Sequence, residues 1–364
     1  MKFRCERDVL LEALTVTGRA AGTRGGFHLV LSGVHMALEG DELTLTATDR
    51  ELTISVQLTV AGAGDGAAVV TSRLVGDVVR SLDAGAVNVT VDNEGIHIDS
   101  ARSKFSLQTM GAEDFPQAAA LESDPVVLEA EGLLTALRQV VKAASADESR
   151  PVLTGVLLSA EQEGLRLVTT DSYRLALCDL PGLEVLGSDQ SVLVPSRALQ
   201  EVIRLLADVE QVSVRFNDRE ASFGLGTITV TTRLIEGEFP SYQGLIPTHQ
   251  PNRLTINRES FMNAVRRVRL MAQDSTPIRM DMSASGLELS ATTQDVGEAT
   301  EQLDAVYEGE DLTVAFNPEY LLDGAEAAPG EEIVLNTVDA LKPAVIRTPE
   351  TEQFLYLLMP VRIN

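Results

Sequence analysis

Three times along the chain, a run of alternating apolar and polar positions gives way to apolar residues at helical spacing. The alternating runs are 39–56 (EGDELTLTATDRELTISV), 163–177 (EGLRLVTTDSYRLAL) and 285–300 (SGLELSATTQDVGEAT). Each has Gly near its start, a Thr-rich centre and a second alternating stretch, the pattern of two strands joined by a turn. Further on, a short apolar strand leads into a helix in each copy: Val69-Val70-Thr71-Ser72-Arg73-Leu74, Leu193-Val194-Pro195-Ser196-Arg197-Ala198 and Val314-Ala315-Phe316-Asn317-Pro318-Glu319. Ser72, Ser196 and Asn317 are the expected N-caps, because their side-chain oxygens can accept an orphan backbone N–H. Pro318 then sits where a helix tolerates proline.

Each copy also opens on a helix: 6–20, 131–144 and 259–272 carry apolar residues at i, i+3, i+4 and i+7. Two copies close on a matching phrase, Glu113-Asp114-Phe115-Pro116 and Gly237-Glu238-Phe239-Pro240. The stretches 117–125 and 241–252 read as linkers. The chain is therefore expected to be α+β, with three tandem copies of one domain at 1–120, 126–244 and 252–364. Each copy sets two helices against antiparallel sheets. A repeat of about 120 residues is too long for a solenoid, so each is a domain of its own.

Composition adds that the cores rest on aliphatic residues, since aromatics are 4 % and Trp is absent. The net charge is −25, which excludes a simple basic patch over the whole surface. Its distribution is uneven. The helix windows 6–21, 72–83, 131–142, 196–206, 258–272 and 318–328 hold 12 Lys and Arg against 11 Asp and Glu, so the strands and loops carry essentially all of the negative charge. Arg73 and Arg80 fall together, away from the apolar arc of Leu74, Val75, Val78, Val79 and Leu82. Arg197 and Arg204 likewise oppose Leu199, Val202, Ile203 and Leu206. Arg266 and Arg269 share a flank, Arg267 projects elsewhere, and Arg138 and Lys142 lie outside the apolar arc of their helix. If the helices of all copies face one way, these cations make a common surface that contacts phosphates without reading sequence. The last window breaks the pattern, with Glu319, Asp323 and Glu326 and no base.

Nothing in the sequence assembles a catalytic set. His28, His35, His97 and His249 have no partner at metal-ligand spacing. Ser72 and Ser196 lack a nucleophile-elbow setting. The run Gly62-Ala63-Gly64-Asp65-Gly66 lacks the Lys-Ser/Thr of a phosphate loop and reads as a hairpin tip. Asp171 falls at a strand-to-turn step, where Asp satisfies backbone donors. Cys5 and Cys178 form no disulfide framework, which fits a reducing cytosol. The charged N-terminus is no signal peptide, and no window reaches the run of about 18 apolar residues that spans a bilayer. No cofactor, metal or membrane is expected.

At this point several phrases together resemble one family. They are Met1-Lys2-Phe3 with Glu6-Arg7, Leu31-Ser32-Gly33-Val34, Leu43-Thr44-Leu45-Thr46-Ala47-Thr48-Asp49, Arg102-Ser103-Lys104-Phe105-Ser106-Leu107, Leu153-Thr154-Gly155-Val156, Thr170-Asp171-Ser172-Tyr173-Arg174-Leu175, Phe239-Pro240-Ser241-Tyr242, Phe316-Asn317-Pro318-Glu319-Tyr320-Leu321 and Leu358-Met359-Pro360-Val361-Arg362. In this order they run through the whole chain, which resembles the bacterial DNA sliding clamp, the beta subunit of the DNA polymerase III holoenzyme.

The resemblance implies a non-catalytic processivity factor. Two chains would join head to tail in a six-domain ring around duplex DNA, working in the cytoplasm at the nucleoid. The replicative polymerase, the clamp loader and other partners would dock a peptide in an apolar pocket. The matching pocket positions are Leu153, Thr170, Ser172, Tyr173, Arg174 and Leu175, then Pro240 and Leu245, then Asn317, Tyr320, Met359, Pro360, Val361 and Arg362. The dimer contact falls on Phe105, Leu107, Leu270 and Met271. DNA contacts add Arg24 to Arg73, Arg80, Arg138, Lys142, Arg197, Arg204, Arg266, Arg267 and Arg269. Three departures stand out. Tyr242-Gln243-Gly244 lacks an expected Arg, Asp147-Glu148-Ser149-Arg150 lacks an expected Tyr and Gln, and Phe27-His28-Leu29-Val30 lacks the usual Leu-Pro. The altered pocket loop leaves an alternative role open: a specialised second clamp that protects replication from a clamp-targeting inhibitor.

Overall fold

The computed structural model describes residues 1–22, 29–116, 123–161, 164–272 and 276–362. Arg24 and the 27–28 departure lie outside the described residues. Among the described residues six α-helices appear where the periodicity put them: α1 (Arg7–Thr17), α2 (Ser72–Ser81), α3 (Ala130–Val140), α4 (Ser196–Leu206), α5 (Arg258–Val268) and α6 (Pro318–Ala327). The first helix of each copy ends in a tightened 3-10 turn, at Gly18–Ala20, Val141–Ala143 and Arg269–Met271. Among the described residues no helix is long and apolar enough to cross a membrane.

Asn317 caps α6 as expected, its Oδ1 accepting from the N–H groups of Glu319 and Tyr320. Asn257 caps α5 in the same way through the Ser260 N–H, a cap the sequence reading missed. Ser72 does not cap α2. The helix begins at Ser72 itself, Thr71 holds the cap position, and no side-chain cap bond forms. The Ser72 hydroxyl is instead buried beside Gly18, where a Cβ would come within 2.9 Å of it. Leu74 also departs from expectation and is exposed. It lies about 100° from Val75 around the axis, outside the arc that Val75, Val78 and Val79 bury.

The chain forms two compact units, Met1–Ala130 with Arg204–Leu234, and Glu131–Ile203 with Ile235–Asn364. Among the described residues all paired strands are antiparallel. In the first unit a five-stranded sheet runs in the order Ala61–Gly64, Lys2–Glu6, Ala86–Asp92, Gly95–Ser100, Ser103–Leu107. A nine-stranded sheet runs Thr109–Met110, Gly66–Thr71, Gly33–Glu39, Glu42–Thr48, Leu52–Thr59, Ile228–Arg233, Glu220–Leu225, Gln211–Phe216, Val126–Glu129. The second unit has a nine-stranded sheet in the order Ser191–Pro195, Gly155–Glu161, Gly164–Thr170, Arg174–Pro181, Phe354–Leu358, Ala344–Arg347, Glu332–Thr337, Asn252–Asn257, Val306–Glu308. Its four-stranded sheet runs Gly297–Leu303, Gly286–Thr293, Ile278–Ser283, Leu312–Phe316.

Both nine-stranded sheets are fusions across a repeat boundary. Leu52–Thr59 of the first copy pairs with Ile228–Arg233 of the second, with Ile54 opposite Val230. Arg174–Pro181 of the second copy pairs with Phe354–Leu358 of the third, with Ala176 opposite Tyr356. All four of these side chains are buried, so each seam combines ladder hydrogen bonds with apolar burial. The second repeat accordingly contributes to both compact units.

The glycine run at 62–66 is a corner between sheets and not a hairpin tip. Ala61–Gly64 pairs with Lys2–Glu6 in one sheet, while Gly66–Thr71 pairs with Gly33–Glu39 in the other. Gly66 turns the corner at φ +146°, a conformation costly for any side chain. The aliphatic core matches the composition, and His35 is structural, stacked on Phe115 at 5.2 Å.

Burial pushes the Cys5 thiol up to about 11 and the Cys178 thiol up to about 12, with Glu6 and Asp179 adding to the shifts. The thiolate is the reactive form. At pH 8, iodoacetamide is therefore expected to label both cysteines quickly in denaturant and neither in the native protein. Rapid labelling of the native protein, followed by mass spectrometry, would contradict this packing.

Candidate functional site

The turn after the Thr-rich strand is built twice from the same parts. In the first copy the Thr48 hydroxyl accepts from the Arg50 N–H, and the Asp49 carboxylate accepts from the N–H groups of Glu51 and Leu52. In the second, Thr170 accepts from Ser172, and Asp171 accepts from Tyr173 and Arg174. These bonds hold Arg50 and Ser172 at φ +79° and +82°, a region that non-glycine residues rarely occupy. Asp171 thus has the backbone-satisfying role expected of it.

The two turns differ in the third residue past the Asp. Leu52 enters the core, whereas Arg174 enters a polar network. Its Nε donates to Asp171 at 2.9 Å, its Nη1 to Asp323 at 2.5 Å and to the Tyr356 hydroxyl at 3.3 Å, and its Nη2 to the Lys142 carbonyl at 2.6 Å. The guanidinium also lies 4.4 Å from the Tyr320 ring centroid, within cation–π range. Burial opposes its charge, but Tyr356 and the two carboxylates outweigh burial and raise its pKa above the ordinary value. Burial likewise raises the Tyr356 hydroxyl, although Arg174 opposes that rise. Gly324 allows this closeness, because a Cβ there would stand 2.6 Å from the Tyr356 ring. Arg174 therefore organises the site from within, its hydrogen-bonding capacity largely spent on the protein.

The other predicted pocket residues extend beyond this network, and Leu175, next to Arg174 on its strand, points to the opposite face of the sheet. Leu153, Thr170 and Leu175 are buried. Leu175 belongs to an apolar cluster with Val168, Leu177, Tyr242, Val345, Leu355 and Leu357, against which Phe239 and Ile246 pack. Pro240 and Leu245 flank these last residues in sequence and are exposed. The C-terminal segment is pinned on both sides, the Met359 N–H donating to the Tyr173 carbonyl and the Val361 N–H to the Ala315 carbonyl, each at 2.8 Å. Pro360 and Val361 are half-buried and Arg362 is exposed. Ser172 accepts from Arg150 Nη1 at 3.0 Å. Tyr173, Leu245 and Met359 keep 60 %, 54 % and 39 % of their surface exposed. Exposed Tyr, Leu and Met side chains are of the kind that contacts an apolar peptide. Asp323 and Tyr356 were missed in the sequence. Their signals were an acid in a helix set otherwise rich in bases, and a tyrosine in an all-buried strand, whose hydroxyl needs a partner.

All the described basic candidates on helices are exposed. Several are already engaged. Arg80 pairs with Asp77 at 2.7 Å, Arg269 with Glu319 at 2.6 Å, Lys142 with Glu326 at 2.8 Å, and Arg267 with Glu301. Arg266 donates to Asn263. Arg73, with its side chain 94 % exposed, lies 3.9 Å from Asp77. The three acids of α6 that broke the charge pattern are thus partners of Arg269, Lys142 and Arg174.

The predicted dimer residues fall beside open sheet edges. Phe105 and Leu107 are half-buried on Ser103–Leu107, the edge of the five-stranded sheet. Leu270, 74 % exposed, and Met271 follow α5. Met271 lies 3.5 Å from the Cβ position of Gly297, at the start of the four-stranded sheet's edge strand. Among the described residues, no group of three or more His, Cys, Asp and Glu could hold a metal.

Repeated units fused sheet to sheet, cations raised on helices and exposed apolar side chains near the second seam fit a clamp-type binding scaffold. The DNA polymerase III beta subunit family matches in three parts, its N-terminal domain at residues 1–119, central domain at 127–241 and C-terminal domain at 243–362. The beta sliding clamp of Streptomyces coelicolor is 32 % identical over 100 % of both chains. A crystal structure of the sliding clamp from Bacillus subtilis superposes with a TM-score of 0.93 at 27 % identity, covering 100 % of both chains. The sliding clamp of Bartonella birtlesii bound to griselimycin gives 0.94 at 31 %, again over 100 % of each. The chain belongs to the bacterial DNA polymerase III beta subunit family.

If Arg174 organises the site, Arg174→Met leaves Asp171 and Asp323 without the guanidinium that joins them. This is expected to cost about 2–3 kcal/mol in urea unfolding. A loss below about 0.5 kcal/mol, the range of ordinary surface changes, would contradict the role.

Proposed function

We propose that two copies of this chain close head to tail into a ring around duplex DNA and act there as a non-catalytic processivity factor. The observation that carries this is the seam pattern. The strand after the Thr-rich turn of copy one pairs with the last hairpin strand of copy two, and copy two joins copy three in the same way. Two such edges remain: Gly297–Leu303 of the third copy and Ser103–Leu107 of the first. They are the missing halves of one more identical seam, available between two chains. Joining them fuses the five- and four-stranded sheets into a third nine-stranded sheet.

The register is set by the existing seams. Matching the two-residue hairpin turns at Ala101 (φ +48°) and Gly226 (φ +62°), and the strand starts at Gly164 and Gly286, sets Phe105 opposite Ala299 of the other chain. A large side chain meets a small one, with Leu270 and Met271 alongside. A heterologous contact of this kind must close or grow into a filament, and six domains close.

Exposed cations on the helices support contact with phosphates. We assign this role to Arg73, Arg80, Arg138, Arg197, Arg204, Arg266, Arg267 and Arg269. Arg24 stays in the proposal on resemblance alone. With a net charge of −25, the rest of the body repels DNA, so the ring is held by topology and slides. The pocket tethers the polymerase, the clamp loader and other peptide-bearing partners at high effective concentration. We divide the chain into domains at 1–120, 126–244 and 252–364, and place its work in the cytoplasm at the nucleoid.

The wild type is expected to be a dimer by light scattering and to stay on nicked circular DNA until the circle is cut. Phe105→Asp should give a folded monomer that is lost from both forms. Equal wild-type loss from circular and linear DNA would overturn the ring. Removing the chain from Met359 onward should abolish polymerase stimulation while the dimer survives, and unchanged stimulation would remove the pocket assignment.

A further inference from the structure

Lys142 differs from the other basic helix residues in what surrounds it. Its ammonium lies 2.8 Å from Glu326 and 3.8 Å from Asp323, both on α6. Its own carbonyl, in the turn Val141–Ala143, accepts from Arg174 Nη2 at 2.6 Å. Arg174 in turn donates to Asp323 at 2.5 Å. Main chain and side chain of one residue thus close a circuit: the Lys142 carbonyl, Arg174, Asp323 and the Lys142 ammonium. Asp323 and Glu326, three apart on a helix, repel each other. Glu326 also sits in the last turn of α6, where the helix dipole disfavours an anion. The Lys142 ammonium offsets both effects and ties α6 to the turn 141–143. Tyr320, one turn before Asp323, carries its ring against Arg174, so the seating of α6 sets where that ring stands.

We propose that Lys142 is a positioning residue of the partner pocket and not a phosphate contact. It holds α6, and with it Tyr320 and Arg174, in the geometry that receives a ligand. Two carboxylates at one ammonium leave the spot net negative, which is a poor place for a phosphate. The inference rests on the pocket reading above.

The test titrates griselimycin, the ligand carried by the Bartonella clamp, into the full-length protein by calorimetry. Lys142→Met keeps the aliphatic stem and removes the charge. It is expected to weaken binding about 3- to 10-fold, the scale of coupling between contacting groups. Lys142→Arg should restore binding to within about 2-fold on that same scale. In a Glu326→Gln background the Lys142→Met loss should largely disappear. Retention of Lys142→Met on nicked circular DNA should match wild type. Unchanged griselimycin binding by Lys142→Met, or a loss that persists in full beside Glu326→Gln, would overturn the proposal. So would lost DNA retention with intact griselimycin binding, which would return Lys142 to the phosphate contacts. A wild type that binds no griselimycin would overturn the pocket reading and this proposal with it.

Discussion

Backbone hydrogen bonds between the edge strands of successive repeats are the constraint on which the rest of this molecule depends. A sheet edge exposes unpaired N–H and C=O groups, and proteins must cover such an edge or blunt it. Here the edge left by one repeat is filled by the next. Leu52–Thr59 takes Ile228–Arg233, and Arg174–Pro181 takes Phe354–Leu358. Three repeats make two seams and leave one matched pair of edges open. In the proposed ring, dimerisation and closure both come from filling that pair.

The same seam explains why the proposed partner pocket falls at one repeat boundary and not at the other. Both seams carry the Thr-Asp turn. At the first, Leu52 and Val230 occupy the positions that Arg174 and Tyr356 hold at the second, and both are buried. An aliphatic pair simply seals the boundary. An Arg and a Tyr in the same places need partners, and they recruit Asp171, Asp323 and the Lys142 carbonyl. In the proposed pocket, a structural joint gains its polar network from a few changed side chains.

Much of this was legible in the sequence. The three copies, all six helices and the Asn317 cap follow from periodicity and side-chain chemistry. So does the structural role of Asp171. What was not legible depended on residues meeting from distant parts of the chain. Ser72 reads as a cap by its type, yet Gly18 makes room to bury it. The glycines at 62–66 permit a turn but do not say that it joins two sheets. Arg174 and Lys142 look alike as basic residues, and only the approach of α6 separates a guanidinium buried in a network from an exposed ammonium on two carboxylates. Asp323 and Glu326 looked like exceptions to a charge pattern because their partners lie far away in sequence.

The seam between chains is tested most directly by a disulfide. Phe105→Cys and Ala299→Cys, in a chain carrying Cys5→Ser and Cys178→Ser, put two thiols opposite each other across the inferred ladder. Directly opposed strand residues have the Cα spacing a disulfide accepts. On oxidation, denaturing electrophoresis should give one product containing two chains. A product that stays monomeric, or a ladder of ever longer species, would contradict the closed head-to-tail seam.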